Sequence, residues 1–263
     1  MRVSGLLCFL ILLPALPLCA QEAQRPSSSE LKEISGRGRA LADYDQAASH
    51  AGEAVKALGA PSDKVELYVG RRDGNSWDFV FGKLDEQKAK LLIAYEAQGQ
   101  NPRKLAVSKL DPPREDISFF FHAARAIATA TADFLQKDRP YDTLLLQAAE
   151  GKFYVYLIPA RTKPGIFPLG GDVRYLVSAD GGSIVEKRVM HLGVMEFGNT
   201  PGSSRVMIAA LHQHILSEVP EDTDVLHVLR QDPPMPLSII TKSFTYEVRQ
   251  SGNIDFRGKA LKF

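Results

Sequence analysis

Cysteine is nearly absent from this chain of 263 residues. The two cysteines that it has, Cys8 and Cys19, both lie within the first twenty residues. A chain from which that segment has been removed contains no thiol, which excludes disulfides, cysteine nucleophiles and cysteine metal ligands. We therefore expect the remaining residues to be stabilised by a hydrophobic core, for which their number is sufficient.

An excess of charge of either sign is also missing. The chain has 32 Lys and Arg residues against 31 Asp and Glu residues, and Arg2 is the one charged residue among the first twenty. Without that segment the balance is 31 basic against 31 acidic residues. This neutrality gives no reason to expect a nucleic acid or an anionic membrane surface as a partner.

Long hydrophobic runs are absent as well. The apolar run at residues 6–13 is too short for a transmembrane helix, which needs about 20 residues. Arg2 before this run and the small residue Ala20 after it complete the pattern of a secretory signal peptide. We expect residues 1–20 to be a signal peptide, no transmembrane segment after its cleavage, and a secreted or periplasmic protein. A retained signal anchor and a lipid anchor at Cys19 are the alternatives.

Hydrophobic periodicity predicts the helices. Apolar residues spaced by three and four positions form one stripe, which predicts a helix over residues 39–58; they are Leu41, Tyr44, Ala48, Ala51, Val55 and Leu58. A second helix is predicted over residues 115–136 and a short third one over residues 223–230. Alternating apolar residues elsewhere predict strands, with hairpin turns at Gly74, Gly181 and Gly252.

These elements predict an α+β fold with antiparallel sheets, each preceded by a packed helix. The polar residues 21–37 are predicted to be a flexible leader. Residues 38–97 are predicted to form a small α+β module, and residues 115–263 an α+β domain. The polar, proline-containing residues 98–114 between them are predicted to be a linker or long loop.

The most informative constellation lies near the C-terminus. On a strand, His212 and His214 would point to the same side and could hold one metal ion between them. Asp224, near the start of the next helix, could supply a third ligand. Two imidazoles, one carboxylate and an open position form a catalytic zinc arrangement, in which bound water acts as hydroxide near neutral pH. If residues 204–217 form a helix instead, the two histidines lie about 200° apart and cannot share an ion.

Residues 212–225 resemble the motif of the JAB1/MPN (JAMM) family of zinc isopeptidases. That motif is His-x-His, about seven residues, and then Ser-x-x-Asp at a helix start. The resemblance implies a JAB/MPN-like domain in the C-terminal part, zinc held by His212, His214 and Asp224, and an upstream glutamate as general base. Glu150 stands at about the expected distance for that base, and the rivals are Glu186 and Glu196. Glu221 stands where the family has its serine.

Two functions are compatible with this sequence. The first is a periplasmic or cell-surface binding or scaffolding protein without catalysis, whose partner is an unknown exported protein or peptide. It rests on the export signal, the neutral charge and the incomplete catalytic set. The alternative is a zinc-dependent peptide or isopeptide hydrolase of JAMM type, which rests on His212, His214 and Asp224. An inhibitor of a secreted toxin would also suit the compartment.

Overall fold

The computed structural model describes residues 24–60, 64–135, 138–198 and 209–261, so the expected signal peptide lies outside the described residues. Within these ranges the chain has an α+β fold, as expected, with three α-helices and four mostly antiparallel sheets. The helices are α1 (Ser28–Ala57), α2 (Phe119–Asp133) and α3 (Asp222–Arg230). None of the helices in the described ranges has the length and apolar character that a membrane crossing requires.

The first sheet is a four-stranded antiparallel meander that follows α1. Its strands are β1 (Leu67–Asp73), β2 (Ser76–Asp85), β3 (Lys90–Gly99) and β4 (Ala106–Asp116), in that order. The prediction of a linker or long loop over residues 98–114 is wrong for its second half, because β4 pairs with β3 there. As an edge strand that is mostly exposed, β4 can carry polar residues, Pro112 and Pro113, which made it look like a loop.

The second sheet follows α2 and has the strand order β5-β6-β8-β9. These strands are β5 (Tyr141–Gln147), β6 (Phe153–Pro159), β8 (Val173–Val177) and β9 (Ile184–Val189). The predicted hairpin at Gly181 joins β8 to β9. β7 (Ile166–Gly170) and β10 (Val194–Gly198) form a separate antiparallel pair. In the chain, β7 follows β6 and β10 follows β9.

The third sheet contains the one parallel pair among the described strands. Its order is β11 (Ala210–Gln213), β12 (Leu237–Ile240), β13 (Phe244–Val248) and β14 (Ile254–Lys259). β11 and β12 run parallel, and α3 is the connection between them. The other pairs are antiparallel hairpins. Only a short segment separates the end of β11 at Gln213 from the start of α3 at Asp222.

Helix α1 begins eleven residues earlier than predicted, so the expectation of a flexible leader is wrong for residues 28–37. The side chain of Ser27 caps the helix by accepting a hydrogen bond from the Glu30 backbone N–H. Leu31 and Ile34 are buried and extend the apolar stripe of the helix toward its N-terminus. The charged residues between them face solvent, which hid this part of the stripe in a polar segment.

The two predicted modules share one hydrophobic core. Buried residues of residues 38–97 and of residues 115–263 belong to the same cluster; examples are Leu41, Phe79, Phe121, Tyr156 and Leu226. Helix α1 also packs along α3, and Arg37 and Arg230 form ion pairs between the two helices at opposite ends of α3. The predicted small module and the predicted domain therefore do not have separate hydrophobic cores.

Gly38 sets the distance between α1 and α3. A Cβ atom at this position would overlap the Val225 side chain and lie 2.7 Å from the Asp222 carbonyl oxygen. Gly36, two residues earlier and about 200° around the helix, has no atom within 4 Å of such a Cβ. The absence of a side chain at Gly38 thus lets the start of α3 rest directly on α1.

Replacement of Gly38 by alanine is expected to lower the free energy of unfolding by about 1–3 kcal/mol, because the added methyl group overfills the helix contact. In an open helical position the same change raises stability by up to about 1 kcal/mol. Gly36→Ala is therefore the matched control, and it should stabilise the protein. Urea denaturation of both variants measures the two effects. A stabilising Gly38→Ala would contradict the described contact.

Candidate metal centre

The His-x-His segment forms a strand in the described residues. β11 ends at Gln213, and the His214 N–H extends the parallel ladder by donating to the Ile240 carbonyl oxygen at 2.8 Å. His212 and His214 are buried, whereas Leu211 and Gln213 are exposed, which is the alternation of a strand. The two histidines therefore face the same side. Residues 204–208 of the helical alternative lie outside the described residues.

Asp224 reaches the same place from the first turn of α3. Glu221 is the N-cap of this helix, and its backbone N–H donates to Asp224 Oδ2 at 2.7 Å, which completes a capping box. Asp224 is fully buried. The capping bond fixes the direction of its carboxylate, so the loop after β11 and the helix start act together to bring Asp224 to His214.

His191 is a fourth member of the group that sequence reasoning missed. It follows β9, and its Nδ1 lies 2.6 Å from Oδ1 of Asp172, which precedes β8. The pairing of Val173 with Val189 at the end of the β8–β9 hairpin places Asp172 and His191 near each other. The turn predicted at Gly181 implies this pairing of the two strands. The sequence could therefore have predicted that Asp172 and His191 lie close together.

The four side chains converge on one point. One ligand atom from each of His191, His212, His214 and Asp224 lies within 4.8 Å of the other three. The Nε2 atoms of His191 and His214 are 3.0 Å apart, and His214 Nε2 is 3.1 Å from Asp224 Oδ2. Ligands at zinc-like bond lengths in a tetrahedron are about 3.3 Å apart. The spacing is therefore compatible with coordination of one metal ion.

Hydrogen bonds outside the group fix the tautomers of two histidines. His191 Nδ1 faces the Asp172 carboxylate, and His214 Nδ1 faces the Val219 carbonyl oxygen at 3.0 Å. Both acceptors require the Nδ1 atom to carry the proton, so in the neutral rings both Nε2 atoms present lone pairs to each other and to Asp224. Either a proton on one Nε2 atom or a metal cation between the two atoms relieves this contact. Such outer bonds to carboxylates and carbonyls are typical of metal-ligating histidines.

His212 completes the case for a cation. It is buried, and neither ring nitrogen has a hydrogen-bond partner among the described residues. Asp224 Oδ1 is likewise buried and without a hydrogen-bond partner. Unpaired buried polar atoms are costly, and so many at one point call for an explanation. Coordination of one ion would engage Asp224 and one ring nitrogen of His212, and would leave the other nitrogen of His212 without a protein partner.

The pKa values of the three histidines shift in different directions. Burial alone would lower the pKa of His191, but the carboxylates of Asp172 and Asp224 outweigh burial and raise it to about 9. The pKa of His214 is also raised, since Asp224 outweighs burial there. Burial lowers the pKa of His212 to about 4. Burial would raise the pKa of Asp224, but His214 and His191 hold it below its usual range.

The structure does not bring Glu150 to this group. Glu150 lies in the exposed turn between β5 and β6, and its carboxylate pairs with Lys152. Glu150 precedes β6, whereas Pro159 at the far end of that strand lines the same cavity as Asp172, the partner of His191. The seven residues of β6 span about 20 Å, so Glu150 lies about one strand length away from the group. The rivals are also elsewhere engaged, because Glu186 pairs with Arg174 and Glu196 with Arg139. None of these glutamates belongs to the group of ligand atoms.

An apolar groove with a volume of about 360 Å³ opens beside the centre. Residues 190–195 line one wall, and residues of the segment 211–216 line the other, including His191 and His212 of the metal group. Leu192 and Ile215 in these walls are largely exposed. The groove therefore offers apolar surface to a binding partner next to two of the ligands.

The chain was compared with models of protein families, with curated proteins and with solved structures. None of the three comparisons gives a match. The likeness to the JAMM motif thus remains confined to the residues that carry it, His212, His214 and Asp224 with Glu221 at the helix start.

Proposed function

We propose that this chain is an exported binding protein whose fold is fastened by one divalent metal ion, with zinc as the ion. The observation that carries the proposal is the convergence of three imidazoles and one carboxylate, with the Nε2 atoms of His191 and His214 facing each other at 3.0 Å. The proposed ligands are His191, His212, His214 and Asp224.

The donor set and its geometry favour zinc in a fastening role. Imidazole nitrogen and carboxylate oxygen are ordinary zinc ligands, and four protein ligands fill a tetrahedral shell, as in structural sites. The ligands come from the end of β9, from β11 and from α3. One ion at this point would tie the second sheet to the third sheet and to the helix start. The described residues contain no cysteine, so the ion would supply a cross-link that no disulfide among them can supply.

The surroundings of the centre favour binding over catalysis. Besides Asp224, the carboxylates of Asp172 and Glu221 raise the pKa of His191, and each of them already has a hydrogen-bond partner. Asp172 bonds to His191 itself, and Glu221 pairs with Arg188 at 2.6 Å. A hydrolytic zinc centre needs an open coordination position and a group that accepts a proton from water. The filled shell and these engaged carboxylates supply neither.

The groove beside the centre is the proposed partner site. Its walls are mostly apolar, and β11 is the edge strand of its sheet among the described strands. An exported peptide segment in extended conformation, with apolar side chains at alternate positions, matches an edge strand and an apolar wall. The metal would hold the two walls at a fixed distance, because His191 belongs to one and His212 to the other.

Metal analysis of residues 21–263, expressed without a histidine tag, tests this proposal. We expect about one zinc ion per chain by mass spectrometry, and loss of that ion in the double variant His212→Ala, His214→Ala. The partly exposed residue His50 on α1 provides the matched control, since it does not belong to the group of ligand atoms and His50→Ala should keep the ion. A protein that holds no metal after zinc supplementation would refute the proposal.

A zinc-dependent peptide or isopeptide hydrolase of JAMM type is the second candidate. The observation in its favour is that His-x-His ends a strand parallel to β12 and that Glu221-x-x-Asp224 caps the next helix. The groove would then hold the substrate, and the zinc shell would have to expand to admit water. Assays of the zinc-loaded protein on peptide and isopeptide bonds decide between the two. Cleavage that a chelator abolishes supports the hydrolase, and an intact substrate with bound zinc supports binding.

A further inference from the structure

A small cavity lies directly behind the proposed metal centre. Its volume is about 20 Å³, which is enough for one water molecule and too small for a larger ligand. The polar residues in its wall are Asp172, Thr223, His227 and Arg230. Asp172 is the residue that orients His191, so the cavity lies one hydrogen bond away from a proposed ligand.

Two buried side chains have an unpartnered polar atom and line this cavity. Thr223 is 4% exposed and His227 is 3% exposed, and neither Thr223 Oγ1 nor His227 Nε2 has a hydrogen-bond partner among the described residues. The His227 Nδ1 atom lies 3.3 Å from the Pro168 carbonyl oxygen and must donate to it. The His227 Nε2 atom is therefore an acceptor. Burial lowers the pKa of His227 to about 4, which keeps the ring neutral.

The charges in the wall decide what kind of molecule fits. Arg230 disfavours a cation, and the carboxylate of Asp172 disfavours an anion. Thr223 Oγ1 can donate or accept, whereas His227 Nε2 and Asp172 can only accept. A neutral molecule with two donors and two acceptor lone pairs satisfies this set, and in a space of this size that molecule is water.

We propose that one buried water molecule bridges Thr223, His227 and Asp172, and that His227 thereby acts as a positioning residue for the metal ligand His191. The water accepts from the Thr223 hydroxyl and donates to His227 Nε2 and to the Asp172 carboxylate. Asp172 then holds the His191 ring in the orientation that directs Nε2 to the ion. This inference rests on the proposed metal centre, but the water itself does not depend on metal.

Zinc affinity of full-length mature variants tests the positioning role. His227→Phe keeps an aromatic ring beside Phe197 but removes the acceptor, and Thr223→Val keeps the shape but removes the hydroxyl. Loss of an outer-shell partner typically weakens metal binding 10–100-fold, so we expect a rise of about tenfold in the Kd for zinc in each variant. His227→Gln retains an acceptor near the position of Nε2 and should restore most of the affinity. Cobalt-loaded His227→Phe should show a shifted visible spectrum, which a purely structural role would leave unchanged.

A crystal structure of the wild-type chain, with and without zinc, tests the water directly. Ordered density between Thr223 and His227 is expected in both states. A dry cavity would overturn the inference, and so would zinc affinities of His227→Phe and Thr223→Val equal to that of the wild type. A wild-type protein that binds no zinc would instead refute the proposed function, and the density would still decide whether the water is there.

Discussion

Zinc is expected to raise the unfolding midpoint of the metal-free protein by about 8–16 °C when its free concentration is about 1,000 times the Kd. An ion that binds the folded state alone stabilises it by RT ln(1 + [L]/Kd), which is about 4.1 kcal/mol at that excess. Each kcal/mol shifts the midpoint of a domain of this size by about 2–4 °C. The ion should bind the folded state alone, because its ligands come from the segment after β9, from the end of β11 and from α3, which only folding brings together. Calorimetry of chelated and zinc-supplemented protein measures it.

Asp224→Asn is the variant that separates coordination from packing. The asparagine side chain keeps an oxygen that can accept from the Glu221 N–H, so the helix cap survives, but the negative charge of the ligand is lost. We expect the zinc-dependent shift to disappear in this variant and to persist in His50→Ala. An equal shift in Asp224→Asn would mean that zinc stabilises the protein somewhere else.

Local pattern was sufficient to predict those elements whose buried face is regular. The stripe from Leu41 to Val55 is buried as predicted, and the turns at Gly181 and Gly252 join strands as predicted. The errors fell where exposed polar residues dominate a regular element. The first turns of α1 and the edge strand β4 each have few buried residues, so composition suggested a leader and a loop.

The sequence was sufficient to predict those residues of the candidate site that lie close together along the chain. His212, His214 and Asp224 lie within thirteen residues, on a strand and on the helix that follows it, and the structure brings them together. His191 belongs to a different sheet region, and no spacing rule connects it to the other three. Its position depends on how the second sheet packs against the third, which is a property of the whole core. Glu150 was proposed by distance along the chain alone, and chain distance carries no such information.

Asp222 is the residue that ties the metal centre to the rest of the fold. It is 1% exposed and lies at the first position of α3, two residues before Asp224. Its carboxylate accepts hydrogen bonds from Arg37 Nε at 3.0 Å, from Arg174 Nη1 at 3.0 Å and from the Tyr156 hydroxyl at 2.7 Å. These three partners lie on α1, β8 and β6, so one side chain holds the start of α3 against a helix and a sheet.

Asp222→Ala is expected to lower the free energy of unfolding of the metal-free protein by about 3–5 kcal/mol, because it leaves the buried Arg174 guanidinium without this carboxylate. Urea denaturation in the presence of a chelator measures the loss without any contribution from zinc. Asp43→Ala is the matched control, since Asp43 pairs with Arg72 at the surface and its removal should change stability by less than about 1 kcal/mol. If the two variants were equally stable, the anchoring of α3 would have to come from its apolar face, and the direction of Asp224 would depend on the capping box alone.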